Sequence, residues 1–319
     1  MHSTCSVRNA ETAKQQLKHT ATNMNKIVAL LTFKNEIKYL QTYLATVKPI
    51  VDEIIAIDDG STDEGPELLR QAGCTVIRSD EKVKAGWAEL GIRNRLLELG
   101  RASGGTHFVC LDADETFTSQ FIKIAPTVFS KMMPGQKIRM QWLAMWKTVD
   151  HYRDDQSVWS RNYKDFIFCD DGKMSYPDVW MHTPRTPGVS DDSKDLVLNP
   201  KHGAVMHFQF TEFGNFQIKQ AFYRMSELVK LGPENWMSIN QKYSITLEDP
   251  NVKVRCIEDS WYVNPMPKIG SNLDEWRLEV IKDYFDEYGC VFFENLQIWH
   301  IPELKEEFIW RTGRNPNGV

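Results

Sequence analysis

Short apolar runs that alternate with helical periodicity are the feature that most limits how this chain can fold. Between the first two runs, apolar residues recur at helical spacing from Ile37 to Val47, and Pro49 follows. Strands that alternate with helices in this way indicate a parallel sheet. We therefore predict an α/β fold with a mostly parallel central sheet flanked by helices. The predicted strands are KIVALLTF (26–33), VDEIIAIDDG (51–60), CTVIRSD (74–80) and THFVCLDADE (106–115).

Three regions are predicted along the chain. Residues 1–25 lack the apolar centre of a signal peptide and are expected to form a disordered or loosely ordered tail. Residues 26–250 carry the strands and helices of the main domain. In residues 251–319, apolar residues at helical spacing from Leu278 to Tyr288 predict a helical C-terminal extension packed on that domain.

Composition excludes several classes of function. The net charge of −5 argues against nucleic acid as a main partner, because tracking phosphates requires a basic excess. No run of apolar residues is long enough to predict a membrane span. The six cysteines show no zinc-binding spacing, so we expect reduced thiols and a cytoplasmic protein. The oligomeric state is not encoded in any visible pattern.

Carboxylates follow two of the predicted strands where each strand ends. Asp58 and Asp59 follow the second strand, and Asp112 and Asp114 follow the fourth. Ligands of open parallel sheets bind beyond these strand ends, and paired oxygen ligands suit Mg²⁺ or Mn²⁺. The alternative is that each pair only holds a turn. In the segment GSTD (60–63), Ser61 or Asp63 is expected to cap the helix that follows.

Other phosphate and metal motifs were compared with the acidic segments. A calcium loop that starts at Asp58 or Asp59 would need glycine at its sixth position, which Asp63 or Glu64 occupies. No P-loop or dinucleotide-binding glycine motif occurs. The segment DADET matches haloacid-dehalogenase-like phosphohydrolases, with Asp112 as the nucleophile. That motif normally ends the first strand of its domain, whereas here about 85 residues of regular structure precede it.

Four segments together resemble a family-two glycosyltransferase with the GT-A fold, over roughly residues 26–230. The resemblance implies transfer of a sugar from a nucleotide-diphosphate donor, with a UDP-sugar favoured, to a glycan or glycoconjugate hydroxyl. It also implies a Mn²⁺ or Mg²⁺ cofactor and inversion at the sugar, in an enzyme that decorates polysaccharides. The segments are VALLTFKNE (28–36), IIAIDDGSTDEG (54–65), GIRNRLLELGRASGGTHFVCLDADE (91–115) and VMHFQF (205–210).

The resemblance also assigns roles to residues. Asp114 coordinates the metal, together with Asp112 and His207. Asp178 is the preferred catalytic base and Asp171 the second choice, since Thr183 stands where relatives often have a glutamate. That missing glutamate leaves open a non-catalytic module that binds nucleotides or carbohydrates. The nucleotide-sugar contacts are assigned to Thr32, Asn35, Glu36, Asp58, Asp59, Arg93, Asp112 and Ala113.

Overall fold

The computed structural model describes residues 25–79, 89–179, 182–188, 195–247, 251–270 and 274–316. Apart from residue 25, the predicted tail lies outside the described residues. The strands are β1 (Ile27–Phe33), β2 (Glu53–Asp58), β3 (Thr75–Arg78), β4 (His107–Val109), β5 (Glu115–Phe117), β6 (Lys137–Ala144), β7 (His151–Arg153), β8 (Tyr163–Cys169), β9 (Leu196–Val197), β10 (Val205–His207) and β11 (Val254–Cys256). The α-helices are α1 (Ile37–Val47), α2 (Gly65–Gln71), α3 (Glu89–Ala102), α4 (Ser119–Phe129), α5 (Phe213–Leu231), α6 (Trp236–Lys242), α7 (Glu275–Tyr288) and α8 (Pro302–Thr312).

The main sheet has the strand order β3-β2-β1-β4-β8-β6-β10-β5, and β9 pairs with β6. The β1, β2, β3 and β4 strands run parallel, and β6 is parallel to β9 and β10. Three pairings are antiparallel: β8 with β4, β8 with β6, and β5 with β10. The predicted α/β fold with a mostly parallel sheet is therefore confirmed. Because β8 runs against β4, its carboxyl end lies at the opposite edge of the sheet from the carboxyl ends of β1 and β2.

The central strand β1 is buried on both faces, as a parallel strand between two helix layers should be. Ala29 and Leu31 pack in the layer that contains α1, while Val28 and Leu30 pack in the layer that contains α3. Burial of an aliphatic side chain of this size stabilises the fold by about 1.5–3 kcal/mol. The unbroken apolar run in the sequence thus follows from having helices on both sides of the sheet.

Helices beyond the sheet form a second apolar core. Ile218 and Phe222 of α5 pack with Ile281 and Phe285 of α7 and with Phe308 of α8. The helical spacing that the sequence shows in α5 and α7 therefore reflects the face that each buries. No helix in the described part of the chain is both long and apolar enough to cross a membrane.

The acidic segment after β4 differs from its prediction. The strand predicted over 106–115 ends at Val109, and a separate strand, β5, begins at Glu115. The reason is that the chain leaves β4 to pair with β10, which lies elsewhere in the sheet. Asp112 and Asp114 consequently lie in the turn between the two strands. In this turn the Asp114 carbonyl accepts the Phe208 backbone N–H at 2.8 Å, which ties the turn to the end of β10.

Polar side chains tie the loop after β1 to the loop after β2. Asn35 Oδ1 accepts the backbone N–H of Thr62 at 2.7 Å, and the Asn35 backbone N–H donates to Ser61 Oγ at 3.0 Å. Asp58 Oδ1 in turn accepts the backbone N–H of Ser61 at 2.7 Å. Asn35 has a φ of 54°, a left-handed conformation that asparagine tolerates better than most residues. These bonds fix the two loops beside the strand ends.

Asp63 contacts the first turns of two helices. Its Oδ2 atom accepts the backbone N–H of Ile37 in α1, and its Oδ1 atom accepts that of Gly65 in α2, both at 2.9 Å. The N–H groups of a first helical turn have no partner inside the helix, so each bond satisfies a donor. Of the two residues expected to cap α2, Asp63 makes this contact, while Ser61 binds the loop after β1.

Replacing Asp63 with alanine is expected to lower the free energy of unfolding by about 2 kcal/mol, because two helix starts lose their acceptor. Urea denaturation measures this change. The matched control is Glu67→Ala on α2, whose side chain is 61% exposed and pairs only at the surface with Arg70. That change should stay within about 0.5 kcal/mol of the unaltered protein. Equal losses for the two variants would contradict the double-capping role.

Candidate functional site

A cleft of about 750 Å³ lies beside the carboxyl ends of β1 and β2. One wall is formed by the two tied loops, and the facing wall by α5 and α7. Asp114 lies between these walls. The cleft is thus placed where an open parallel sheet binds ligands. The lining residues that matter below are Lys34, Asn35, Glu36, Asp114, Lys219, Trp276 and Arg277.

Asp114 lines the cleft, and the buried His207 lies beside it. The Asp114 Oδ2 atom lies 3.4 Å from His207 Nε2 and 3.7 Å from Lys219 Nζ. Both Asp114 and His207 are buried. The His207 ring stacks on Trp142, with centroids 4.2 Å apart and an angle of 15° between the planes. The register between β10 and β5 sets His207 opposite Glu115, the residue that follows Asp114.

The charges around Asp114 keep this carboxyl ionised. Burial alone would raise its pKa, but His207 and Lys219 lower the pKa by more, so it lies well below the usual range. Burial lowers the pKa of His207, and Asp114 opposes that change only in part. Asp114 therefore presents a carboxylate oxygen to the cleft, with a neutral imidazole nitrogen beside it. Both groups are in the protonation state that a metal ligand needs.

Glu36 adds a second carboxyl group to the cleft. Burial and the Asp114 carboxylate raise the pKa of Glu36 to about 8, although Lys219 and Arg277 act in the opposite direction. A carboxyl group with a pKa near neutrality can donate as well as accept a hydrogen bond. It can therefore contact either a polar donor or a polar acceptor on a ligand.

Asp112 is held by two guanidinium groups. Its Oδ2 atom accepts a hydrogen bond from Arg185 Nη2 at 2.6 Å, and its Oδ1 atom lies 3.5 Å from Arg93 Nη2. Burial raises the pKa of Asp112, but Arg185 and Arg93 outweigh it and lower the pKa. Arg93 also bonds Glu89 on its own helix at 3.1 Å. These contacts fix Asp112 on the side of the turn that faces α3.

Glu115 lies fully buried behind Asp112. Its carboxylate accepts hydrogen bonds from Trp142 Nε1 at 2.7 Å, from the Asp112 backbone N–H at 2.9 Å and from Arg185 Nε at 3.2 Å. Burial raises the pKa of Glu115 to about 8, because Arg185 offsets the effect only in part. Every one of these partners is a donor, so the contacts satisfy the ionised form. Glu115 thereby positions Trp142, the residue on which the His207 ring stacks.

The first predicted acidic pair has a largely structural environment. Asp58 is buried, binds the Ser61 backbone and lies 3.5 Å from Arg78 Nη1. Asp59 is half-buried at the end of β2, and its backbone N–H donates to the Phe33 carbonyl. Thr32 lies in β1 next to Ile57 of β2. Ala113 is buried between the two aspartates of the turn.

The two predicted bases lie at different places. Asp171 follows β8 at the amino-end edge of the parallel strands, opposite Asp114, and its Oδ1 atom accepts the N–H groups of Lys173 and Met174. The structure therefore does not bring Asp171 to the cleft. Asp178 is exposed in the loop that leads from β8 to Arg185. This loop returns to the edge that holds Asp112.

Three residues at the cleft were not identified from the sequence. Lys219 comes from α5, and Trp276 and Arg277 come from α7. The Trp276 ring lies 4.4 Å from Lys34 Nζ and 4.3 Å from the Arg277 guanidinium carbon. Burial lowers the pKa of Lys219, but Asp114 raises it by more, so the ammonium stays charged. No local motif marks these residues, because the cleft forms only when separate helices pack together.

Asp114 and His207 could supply two of the ligands of a divalent cation, and a bound small molecule or water would supply the others. Adjacent donors of an octahedral ion with bonds near 2.1 Å lie about 3 Å apart, and their atoms lie 3.4 Å apart. The carboxylate oxygen suits Mn²⁺ or Mg²⁺, whereas an imidazole nitrogen is more typical of transition metals than of Mg²⁺. Within the described residues no group of three or more histidine, cysteine or acidic side chains could hold a metal. Asp112, which was predicted as a further ligand, faces Arg185 instead.

Comparisons with known proteins find matches within the first half of the chain. Residues 29–125 match the family described as Glycosyl transferase family 2. A TPR repeat-containing protein of Synechococcus elongatus is 32% identical over 94 residues, which make up 29% of this chain and 21% of that protein. The chain thus matches about a fifth of this curated relative. The predicted resemblance to family-two glycosyltransferases is confirmed over residues 29–125, and the α/β fold with its mostly parallel sheet agrees with it.

Solved structures of glucosyl-3-phosphoglycerate synthase from Mycobacterium tuberculosis are also similar. One shares 24% identity, covers 28% of this chain and 35% of that chain, and gives a TM-score of 0.23. Another, in complex with Mn²⁺ and UDP-glucose, shares 20% identity, covers 41% and 47% of the two chains, and gives a TM-score of 0.28. At TM-scores this low, the likeness does not bear on activity.

Proposed function

We propose that this protein transfers a sugar from a nucleotide-diphosphate donor to a hydroxyl group of a glycan or glycoconjugate. The observation that carries the proposal is that Asp114, which lies in the segment matching family 2, lines the cleft and has the buried His207 beside it. The donor is a UDP-sugar, the cation is Mn²⁺ or Mg²⁺, and the reaction inverts the anomeric centre. The acceptor is a polysaccharide to which the enzyme adds side-chain sugars.

Each group in the cleft has a role in this reaction. Asp114 and His207 would hold the cation, which supplies Lewis-acid stabilisation of the departing diphosphate. Thr32, Glu36 and Asp59, at and beside the strand ends, bind the nucleoside. Asp58, Asn35 and Ser61 fix the loops that present it. Such prior ordering reduces the entropy lost on donor binding.

The turn between β4 and β5 separates two tasks. Asp112, which Arg93 and Arg185 orient, contacts the ribose, while Ala113 leaves room for the donor to approach. Asp178 accepts the proton of the attacking hydroxyl group, because a base must lie opposite the leaving group for inversion. The two guanidinium groups on Asp112 do not suit the phosphohydrolase alternative, in which this carboxylate would have to be free to attack phosphorus.

Thermal-shift measurements with UDP, GDP and a sugar phosphate, each with and without Mn²⁺, test the proposal. We expect UDP with Mn²⁺ to raise the melting temperature by several degrees, because a ligand at a hundred times its Kd stabilises by about 2.7 kcal/mol. Smaller shifts are expected with GDP, or when Mn²⁺ is absent. A protein that responds to no nucleotide would refute the proposal. Hydrolysis of UDP-sugar separates catalysis from a module that only binds.

A further inference from the structure

Lys219 is the cleft residue whose contacts are least complete. Its side chain is only 20% exposed, and its ammonium group lies 3.7 Å from Asp114 Oδ2. This distance is an ion-pair contact and is too long for a hydrogen bond. Among the described residues, Asp114 is the one ion-pair partner of Lys219, and the ammonium group makes no hydrogen bond there. An ammonium group with three N–H donors therefore lies in a mostly buried space with one ion-pair contact and no hydrogen bond among the described residues.

The surroundings of Lys219 indicate what kind of group it binds. An ammonium group that is removed from water is costly unless hydrogen-bonded acceptors replace the water. Asp114 supplies one negative charge, which balances the Lys219 ammonium group only while no cation is bound. With a divalent cation at Asp114, one carboxylate would face a cation and an ammonium group, which leaves two positive charges unbalanced. The missing partner is therefore an anion of about two charges that enters the cleft.

The position of Lys219 limits where that anion lies. Lys219 lies in α5, near the start of the helix, and lines the same cleft as Glu36 and Asp114. Arg277 of α7 lines the same cleft and forms an ion pair with Asp274. The ammonium group is thus next to the oxygen atom that would hold the cation. A diphosphate that bridges the two positions would satisfy both.

We propose that Lys219 binds the terminal phosphoryl group of the donor diphosphate, an inference that rests on the proposed function. In the reaction, the acceptor oxygen forms a bond to the anomeric carbon while the bond from that carbon to the phosphoryl oxygen breaks. The electron pair of the broken bond stays on the phosphoryl oxygen, and the acceptor proton moves to the base. The Lys219 ammonium group stabilises the negative charge that this oxygen gains.

Binding of UDP and UMP measured by calorimetry in the presence of Mn²⁺ tests the role of Lys219. Lys219→Met keeps the length of the side chain and removes the charge. We expect it to weaken UDP binding by roughly tenfold to a hundredfold and UMP binding by about twofold, because only UDP carries the terminal phosphoryl group. Lys219→Arg should recover most of the UDP affinity. Lys230→Met, at an exposed position of the same helix, should bind both nucleotides normally.

The outcomes separate this inference from the proposed function. If the unaltered protein binds neither nucleotide, the proposed function and this inference both fail. If it binds UDP and Lys219→Met binds UDP equally well, only the role of Lys219 is refuted. Equal weakening of UDP and UMP would also refute it, because a purely structural lysine does not distinguish the two. If the melting temperature of Lys219→Met falls, UDP binding by Lys219→Arg is compared with that of the unaltered protein. Similar affinities support the role of Lys219, and a large loss refutes it.

Discussion

Sugar transfer should fall by about a thousandfold or more when Asp114 is replaced with asparagine, a loss of at least ~4 kcal/mol of transition-state stabilisation. The carboxamide keeps the shape of the side chain but removes the charge that would hold the cation. It also leaves the Lys219 ammonium group without its counter-charge. Initial rates with UDP-sugar and Mn²⁺ measure the loss. Calorimetry should show, in parallel, that Mn²⁺ no longer strengthens UDP binding.

The two predicted bases provide controls for the Asp114 variant. Asp178→Asn is expected to keep Mn²⁺-dependent UDP binding but to lose most transfer. Asp171→Asn should keep both, because this residue lies at the opposite edge of the sheet. Full activity of Asp114→Asn would rule out its proposed role in catalysis. Full activity of Asp178→Asn would leave that role intact and would remove Asp178 as the base.

A large loss of stability is expected when Arg185 is replaced with methionine, about 3–5 kcal/mol in the free energy of unfolding. Arg185 donates to the fully buried Glu115 and to Asp112. Its removal leaves the buried Glu115 carboxylate without its cation, and the remaining donors of Trp142 and the Asp112 backbone do not replace that charge. Guanidinium chloride denaturation followed by circular dichroism measures this difference.

An exposed arginine provides the matched comparison for Arg185. Arg95 on α3 pairs with Glu98 while its side chain is 59% exposed, so Arg95→Met should cost less than about 1 kcal/mol. Arg185→Lys should fall between the two, because lysine keeps the charge but cannot reproduce the forked contact with Glu115. If Arg185→Met is no less stable than Arg95→Met, the buried network does not contribute as argued.

The sequence was most informative about the edge of the sheet. The apolar runs that end at Asp58 and near Asp112 are followed directly by carboxylates. Both the strand and its end can therefore be predicted from consecutive residues. Asp63 was foreseen as a cap for the same reason, since capping depends on residues a few positions apart. Its second contact, with Ile37, joins separate loops and was not predictable from local spacing.

Roles that depend on packing between distant segments were not foreseen. Lys219 lies within a segment of helical periodicity. The apolar positions of that segment predict its buried face, but they do not predict which residues its polar side chains contact. Arg185 lies 73 positions from Asp112 along the chain, so their pairing has no sequence signature. Asp171 was the second choice of base from the resemblance, but it follows β8, which runs antiparallel to β4. Strand direction is a property of topology and cannot be read from one apolar run.

The contribution of α7 to the cleft has a consequence for the timing of assembly. The loops that face it follow β1 and β2, whereas Trp276 and Arg277 lie more than two hundred positions later. A ribosome releases the chain in that order, and early segments fold first. A nascent chain with a finished sheet would present half a cleft, open to water on the α7 side. A complete cleft would form only once α7 has packed against α5, so donor binding would begin only when folding of the C-terminal helices is complete.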